Sequence, residues 1–315
     1  MTGRFDVDVA PGGYAWWYLD AFSDDGLHGL TLIAFVGSVF SPYYAHARRK
    51  GGGVAPADDH CALNVALYAG QGSKGPRRWA MTERGQESVR RDAAHFSIGR
   101  SHLRWEGDEL VVGIDEVTAP WPSRIRGTVR LRAAAVLSLG LPLDRAARHH
   151  WCPIAPCARV EVDLQQPRLR WQGTAYLDSN RGVRPLEDDF TAWDWSRCVL
   201  PDDRCAVLYD VQRRDGSALA LALEFGPDRK ARVFKAPQRV TLPATGWRMP
   251  RGTRSDGGQA RVVQTLEDSP FYTRSLVDLR VLGQPAVGVH ESLSLARWTR
   301  PVVQLMLPFR MPRRA

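Results

Sequence analysis

Two stretches of the chain carry residue types that could move a proton. In GTAYLDSN (173–180) an acid follows a tyrosine by two positions. In an extended strand that spacing puts Tyr176 and Asp178 on one face with Gln172 and Thr174, while Trp171, Ala175 and Leu177 take the other. In RHHWCPIAPCARVEV (148–162) the same two-residue spacing joins His149 to Trp151, just ahead of Pro153 and Pro156. Proline restricts its own φ and the residue before it, so a shaped loop is expected here, with its histidines aimed. Acid, imidazole and aromatic rings together form a set for proton transfer at the mouth of an apolar pocket. The simpler reading makes Asp178 the end of a wet strand face and the His149–His150 pair ordinary linker residues. Both readings suit these stretches taken alone, and His150 has no assigned role.

Aromatic residues crowd next to acids elsewhere as well. YAWWYLDAF (14–22) sets Trp16 and Tyr18 beside Asp20, and FTAWDWSRC (190–198) alternates Trp193, Asp194 and Trp195. Core packing explains these tryptophans most simply, with Asp194 a turn residue or an ion-pair partner for Arg197. The 11 Trp and 8 Tyr also suffice to line a long cavity suited to a hydrophobic ligand or a transient carbocation. Other chemistries lack their motifs. There is no Walker loop, no Gly-x-Gly-x-x-Gly before a helix, no Gly-x-Ser-x-Gly elbow and no His-Glu-x-x-His, and the GGG at 51–53 reads as a flexible loop. The five cysteines form no Cys-x-x-Cys pair and are expected as small buried hydrophobes, so no metal site is assigned. An enzyme built from this chain is expected to work without a cofactor.

The elements that must position these residues are strands. Period-two alternation recurs at 14–22, 28–37, 61–69, 95–99, 109–117, 124–133, 168–178, 190–198, 205–214, 217–225, 260–268, 272–281 and 286–298, with Gly, Pro, Asp and Asn clusters between them. Such a chain is all-β, and many antiparallel strands close into barrels or sandwiches that remove exposed edges. Tyr18-Leu19-Asp20 recurs as Tyr176-Leu177-Asp178, about half a chain later. The repeat predicts two tandem β-barrel-like domains of related build, 1–160 and 161–315, joined around the Pro-containing segment 153–167. The candidate residues sit at that junction, which places the expected cavity between the halves.

A net charge of +9 raises the question of nucleic acid or an anionic membrane. The arginines are scattered, with no basic block longer than Arg48-Arg49-Lys50 before the C-terminal PFRMPRRA, which argues against a nucleic-acid groove. The most apolar run, 29–40, is too short to cross a bilayer, and MTGRFDVDVAPGG lacks a leader pattern, so a cytoplasmic protein is expected. The end RWTRPVVQLMLPFRMPRRA (297–315) has two readings, a segment resting on acidic lipid headgroups or a last barrel strand with a basic tail.

Taken together, 10–44, HCALNVALY (60–68), RRWAMTERG (77–85), HHWCPIAPCARVEV, GTAYLDSNRGVRPLE and FTAWDWSR resemble the carotenoid 1,2-hydratases, also called hydroxyneurosporene synthases, over nearly the whole chain. That resemblance implies a lipocalin-like pair of barrels. It also implies addition of water across the terminal C1=C2 bond of an acyclic carotenoid such as neurosporene or lycopene. The residues it links to catalysis match His149, Trp151, Tyr176 and Asp178. On this view protonation of C2 leaves a tertiary cation at C1, stabilised by the faces of Trp151 and Tyr176, and Asp178 and His149 divide the acid and base roles in either order. Two alternatives stay open: a carotenoid or lipid carrier without turnover, and an enzyme of the same fold with cyclase or pericyclic chemistry.

Overall fold

In the computed structural model of the chain, residues 3–70, 72–75 and 77–314 are described. The alternating runs become antiparallel strands, and the chain divides into two units, one of residues 1–185 with 304–315 and the other of residues 186–303. The strands of the first unit are β1 (Tyr14–Ser23), β2 (His28–Val36), β3 (Cys61–Ala69), β4 (Arg78–Arg84), β5 (Val89–Arg91), β6 (His95–Ile98), β7 (Ser101–Glu106), β8 (Glu109–Val117), β9 (Arg124–Ala133), β10 (Leu141–Pro142), β11 (His149–Gln166) and β12 (Arg168–Gly182).

Eleven of these lie in one sheet in the order β4-β3-β2-β1-β12-β11-β9-β8-β7-β6-β5, with β10 beside β11. The sheet curls until β3 and β4 come against β6 and β8. Its concave side is filled by Trp17, Leu19, Leu32, Val65, Phe96 and Val160 among others, a closed apolar interior of the barrel kind. One helix, α1 (Pro42–Lys50), follows β2. Its signals are local: the Ser41 hydroxyl accepts the N–H groups of Tyr43 and Tyr44, proline opens the first turn, and three basic residues close the last.

In the second unit α2 (Leu186–Asp189) leads into β13 (Phe190–Leu200), β14 (Arg204–Arg213), β15 (Ala218–Phe225), β16 (Ala231–Val233), β17 (Arg239–Leu242), β18 (Arg251–Arg254), β19 (Arg261–Asp268), β20 (Tyr272–Val281) and β21 (Gln284–Ser294). Seven form a sheet ordered β16-β15-β14-β13-β21-β20-β19, and β17 pairs with β18. Cys198, Leu208, Val277 and Leu279 belong to its core. After α3 (Leu295–Trp298) and α4 (Pro301–Met306) the chain ends in β22 (Arg313–Arg314), which adds a parallel edge to β4. The C-terminal stretch is therefore mostly helical, and only its last residues pair as a strand.

Three expectations about organisation change. The division falls after Pro185 and not at 160, because β11 and β12 form a long hairpin inserted between β9 and β1 of the first sheet. The segment read as a proline-shaped joint is the body of an 18-residue strand. Its prolines are accommodated where the register against β12 shifts, between Pro153 and Ala155 and again between Ala155 and Ala158, since at a bulge the ladder does not call on the N–H that proline lacks. The repeated tripeptide also has a different meaning. Its two copies adjoin in one sheet, with Tyr18 opposite Asp178, Leu19 opposite Leu177 and Asp20 opposite Tyr176.

Candidate active site

Strand β12 is flanked by β1 on one side and β11 on the other, and the register across all three is regular from Gly182 to Asp178. Tyr14, Gly182 and His149 are level; the next level on the same face holds Trp16, Asn180 and Trp151; the one after holds Tyr18, Asp178 and Pro153. Asp20 and Tyr176 follow. This face is the reverse of the one that sends Ala15, Trp17, Leu19 and Leu177 into the first unit's core, as strand alternation requires. The site residues are nevertheless all buried: His149, Trp151, Tyr176 and Asp20 at 0% exposure, Asp178 at 3%.

The geometry brings three of the four expected residues into direct contact. Trp151 donates its indole N–H to Asp178 Oδ2 at 2.7 Å, and the Tyr176 hydroxyl donates to the same oxygen at 2.8 Å. A carboxyl group that receives two donors on one oxygen has a fixed orientation. The Tyr18 ring meets Tyr176 edge-on at 6.3 Å between centroids.

The fourth residue, His149, is held one level beyond Trp151. Its Nδ1 lies 2.9 Å from the Tyr14 hydroxyl, and Tyr14 in turn stacks on Trp16 at 5.0 Å. The Tyr14–His149 bond crosses over Gly182, where a Cβ would stand 2.5 Å from His149 Nδ1 and 2.6 Å from the Tyr14 ring. Only glycine leaves room for it. The backbone entering β11 is anchored by Asp144, which accepts the N–H groups of Arg148 and His149. Burial opposes ionisation of Asp144, but these bonds and the Arg148 guanidinium prevail and hold its carboxyl below the ordinary range. His150 points to the opposite face of β11, level with Arg181, and is half-buried.

Trp16 and Tyr18 share the face just described, whereas Trp193 and Trp195 lie on β13 of the second unit. Trp193 packs edge-on against Tyr209 at 6.3 Å. Between them, Asp194 is neither in a turn nor on the face of Arg197: it sits mid-strand, ion-pairs with Arg239 at 2.9 Å and accepts the Ser292 hydroxyl. Burial pushes its carboxyl up to about 6, against the pull of the Ser292 hydrogen bond. Ser292 and Ser196 bracket the buried His290 ring at 3.0 and 2.9 Å, and burial pushes that imidazole down to about 3. The five cysteines are free thiols, four of them buried.

Tyr14, Asp20, Asn180 and Gly182 join the face without having been singled out as site residues. The signal was present: each continues the two-residue spacing of Trp16, Tyr18, Tyr176 or Asp178 by one or two steps.

Comparison with known proteins places this arrangement. The family model for the carotenoid hydratase CrtC matches residues 32–315. The acyclic carotenoid 1,2-hydratases of Thiocapsa roseopersicina and Rubrivivax gelatinosus are 57% and 52% identical to the chain, over 98% and 99% of it and 75% and 76% of their own lengths. That of Cereibacter sphaeroides is 39% identical over 90% of this chain and 98% of its own. Among solved structures, a putative AttH from Nitrosomonas europaea superposes with a TM-score of 0.61 at 17% identity, covering 89% of this chain and 92% of the other. Kievitone hydratase from Nectria haematococca does so with 0.53 at 10%, covering 95% and 97%. At such identities these two show a shared fold. By the extent of the family match and the identity to its relatives, the chain belongs to the carotenoid hydratase family.

Proposed function

We propose that this protein adds water across the terminal C1=C2 bond of an acyclic carotenoid, giving a 1-hydroxy tertiary alcohol, with no cofactor. The observation that carries the reading is the Asp178 carboxyl, buried on an aromatic face with the Trp151 and Tyr176 donors both on Oδ2. An unactivated alkene needs a strong, protonated acid. Burial favours the neutral form of a carboxyl group, and with Oδ2 occupied as a double acceptor the acidic proton belongs on Oδ1. Asp178 gives that proton to C2 as the alkene π pair forms the new C–H bond, and C1 becomes a tertiary cation. The faces of Trp151 and Tyr176 stabilise it by about 0.5–2 kcal/mol each. Water then bonds to C1 through its oxygen and surrenders a proton to His149, which the Tyr14 hydroxyl orients. Passing one proton through solvent from His149 to Asp178 restores the start, so alkene and water are the only reactants.

Access to such a substrate suits a peripheral membrane position. No helix among the described residues is long and apolar enough to span a bilayer. The C-terminal segment exposes Val302, Leu305, Met306 and Phe309, a helical i, i+3, i+4, i+7 spacing, among the exposed Arg300, Arg310 and Arg314. An apolar ridge ringed by cations fits an anionic lipid surface, where a long polyene dissolves.

The test is incubation of wild type and Asp178→Asn with lycopene in detergent, no cofactor added, in water enriched in heavy oxygen. Labelled 1-hydroxylycopene from wild type, and at least about a hundredfold less from the variant, is the expected result. Lycopene bound but unchanged by both would refute the hydratase and favour a carrier.

A further inference from the structure

We propose that Asn180 is the water-positioning residue of the site, an inference that rests on the hydratase reading above. Asn180 is 5% exposed. Its carboxamide oxygen is buried with no hydrogen-bond partner among the described residues, a condition that costs about 1–3 kcal/mol and is kept where the group serves a ligand. Its position is the telling part. On β12 it stands one level from Asp178 and one level from Gly182, the level of His149. Two residues of strand span about 6.6 Å, so Asn180 lies midway between acid and base.

The reaction needs water at that place. C2 must reach Asp178, C1 is one bond farther on, and the incoming oxygen approaches C1 at about 3–3.5 Å. The oxygen therefore sits roughly 4–5 Å from the protonated carbon, within the step that separates Asp178 from Asn180. The same level carries Trp16 on β1 and Trp151 on β11, so Asn180 is flanked across the sheet by two tryptophans. Those rings stabilise a cation but cannot accept a hydrogen bond in their plane. A water that donates one hydrogen to Asn180 Oδ1 and the other to His149 turns its lone pair toward C1. On capture, the O–C1 bond forms and the proton on the His149 side leaves to that ring.

The experiment separates water capture from protonation. In heavy-hydrogen water Asp178 delivers a deuteron to C2. The C1 cation then takes up water, or it returns a hydron from C2 to Asp178 as the C–H pair re-forms the double bond, leaving deuterium in the alkene. Asn180→Leu, close in volume and without an acceptor, is expected to lower 1-hydroxylycopene formation about ten- to a hundredfold with KM little changed. Deuterium in recovered lycopene should rise above wild type. Asn180→Asp keeps an acceptor in place and should recover most of the lost turnover; it also serves if the leucine variant fails to fold. Alcohol formation by Asn180→Leu within twofold of wild type would overturn the proposal, as would loss of alcohol and deuterium exchange together. A wild type that makes no alcohol refutes the hydratase itself, a separate result.

Discussion

Replacing Gly182 by alanine tests whether the Tyr14–His149 bond matters, because the structure sets the size of the disturbance. The added Cβ would stand 2.5 Å from His149 Nδ1, and 2.6 and 2.8 Å from two ring carbons of Tyr14. Non-bonded carbon atoms settle at about 3.5 Å or more, so both rings must retreat by roughly 1 Å. They retreat in opposite directions, since they come from strands on either side of β12. The 2.9 Å hydrogen bond then opens beyond bonding range. Overpacking costs about 1–3 kcal/mol and the lost bond about 1 kcal/mol more, which lowers the melting temperature by roughly 5–10 °C. A misplacement of about 1 Å at a proton acceptor lowers kcat by up to about a hundredfold. Asp178 lies two levels away, and its donors Trp151 and Tyr176 one and three levels away, so deuterium exchange into lycopene should persist while alcohol formation falls. Calorimetry, followed by product analysis below the variant's melting point, supplies both quantities. Tyr14→Phe, which removes the bond without adding bulk, should lower kcat about tenfold. A Gly182→Ala protein that melts lower but hydrates within twofold of wild type would refute the role given to His149.

Three other outcomes follow from the geometry. Trp151→Phe and Tyr176→Phe each remove one donor from Asp178 Oδ2 and should cost about tenfold in kcat apiece; the double variant should depart from additivity in a mutant cycle because both act on one oxygen. In the second unit His290 is held neutral, its imidazole pushed to about 3 by burial, against about 6.5 in the unfolded chain. Its contribution is full above pH 6.5 and is lost as pH falls toward 3, amounting to about 3 kcal/mol between pH 7 and 4. Asp194, raised to about 6, acts in the opposite sense, favouring the folded form as pH falls through that value. His290→Gln should thus gain stability relative to wild type between pH 7 and pH 4 in urea titrations, and an unchanged difference would contradict the assignment. Finally, Leu305→Glu with Phe309→Glu should abolish sedimentation with anionic vesicles while leaving hydration of detergent-dissolved lycopene within twofold.

Much of the strand inventory was legible because alternation is a local property. The runs 109–117, 124–133 and 272–281 are strands with those bounds, since a strand with one buried face must repeat every two residues. Helix α1 also carried its signals, a serine cap before a proline and a basic last turn. Strand β11 was hidden for the converse reason. Its prolines forbid regular pairing locally, and only the bulged register against β12 shows how they are tolerated.

For the site, sequence spacing alone determined that Tyr176 shares a face with Asp178 and His149 with Trp151, because side-chain direction along one strand depends on nothing beyond that strand. The tertiary structure decided which strands adjoin. That β12 lies between β1 and β11, bringing Trp151 onto Asp178 and Tyr14 onto His149 across Gly182, is a matter of sheet order and register. It also decided that Trp193 and Trp195 belong to a second unit. Register is set by how whole strands bury their faces against partners, 27 residues apart for Trp151 and Asp178 and 135 for Tyr14 and His149, a free energy that no short stretch of sequence contains.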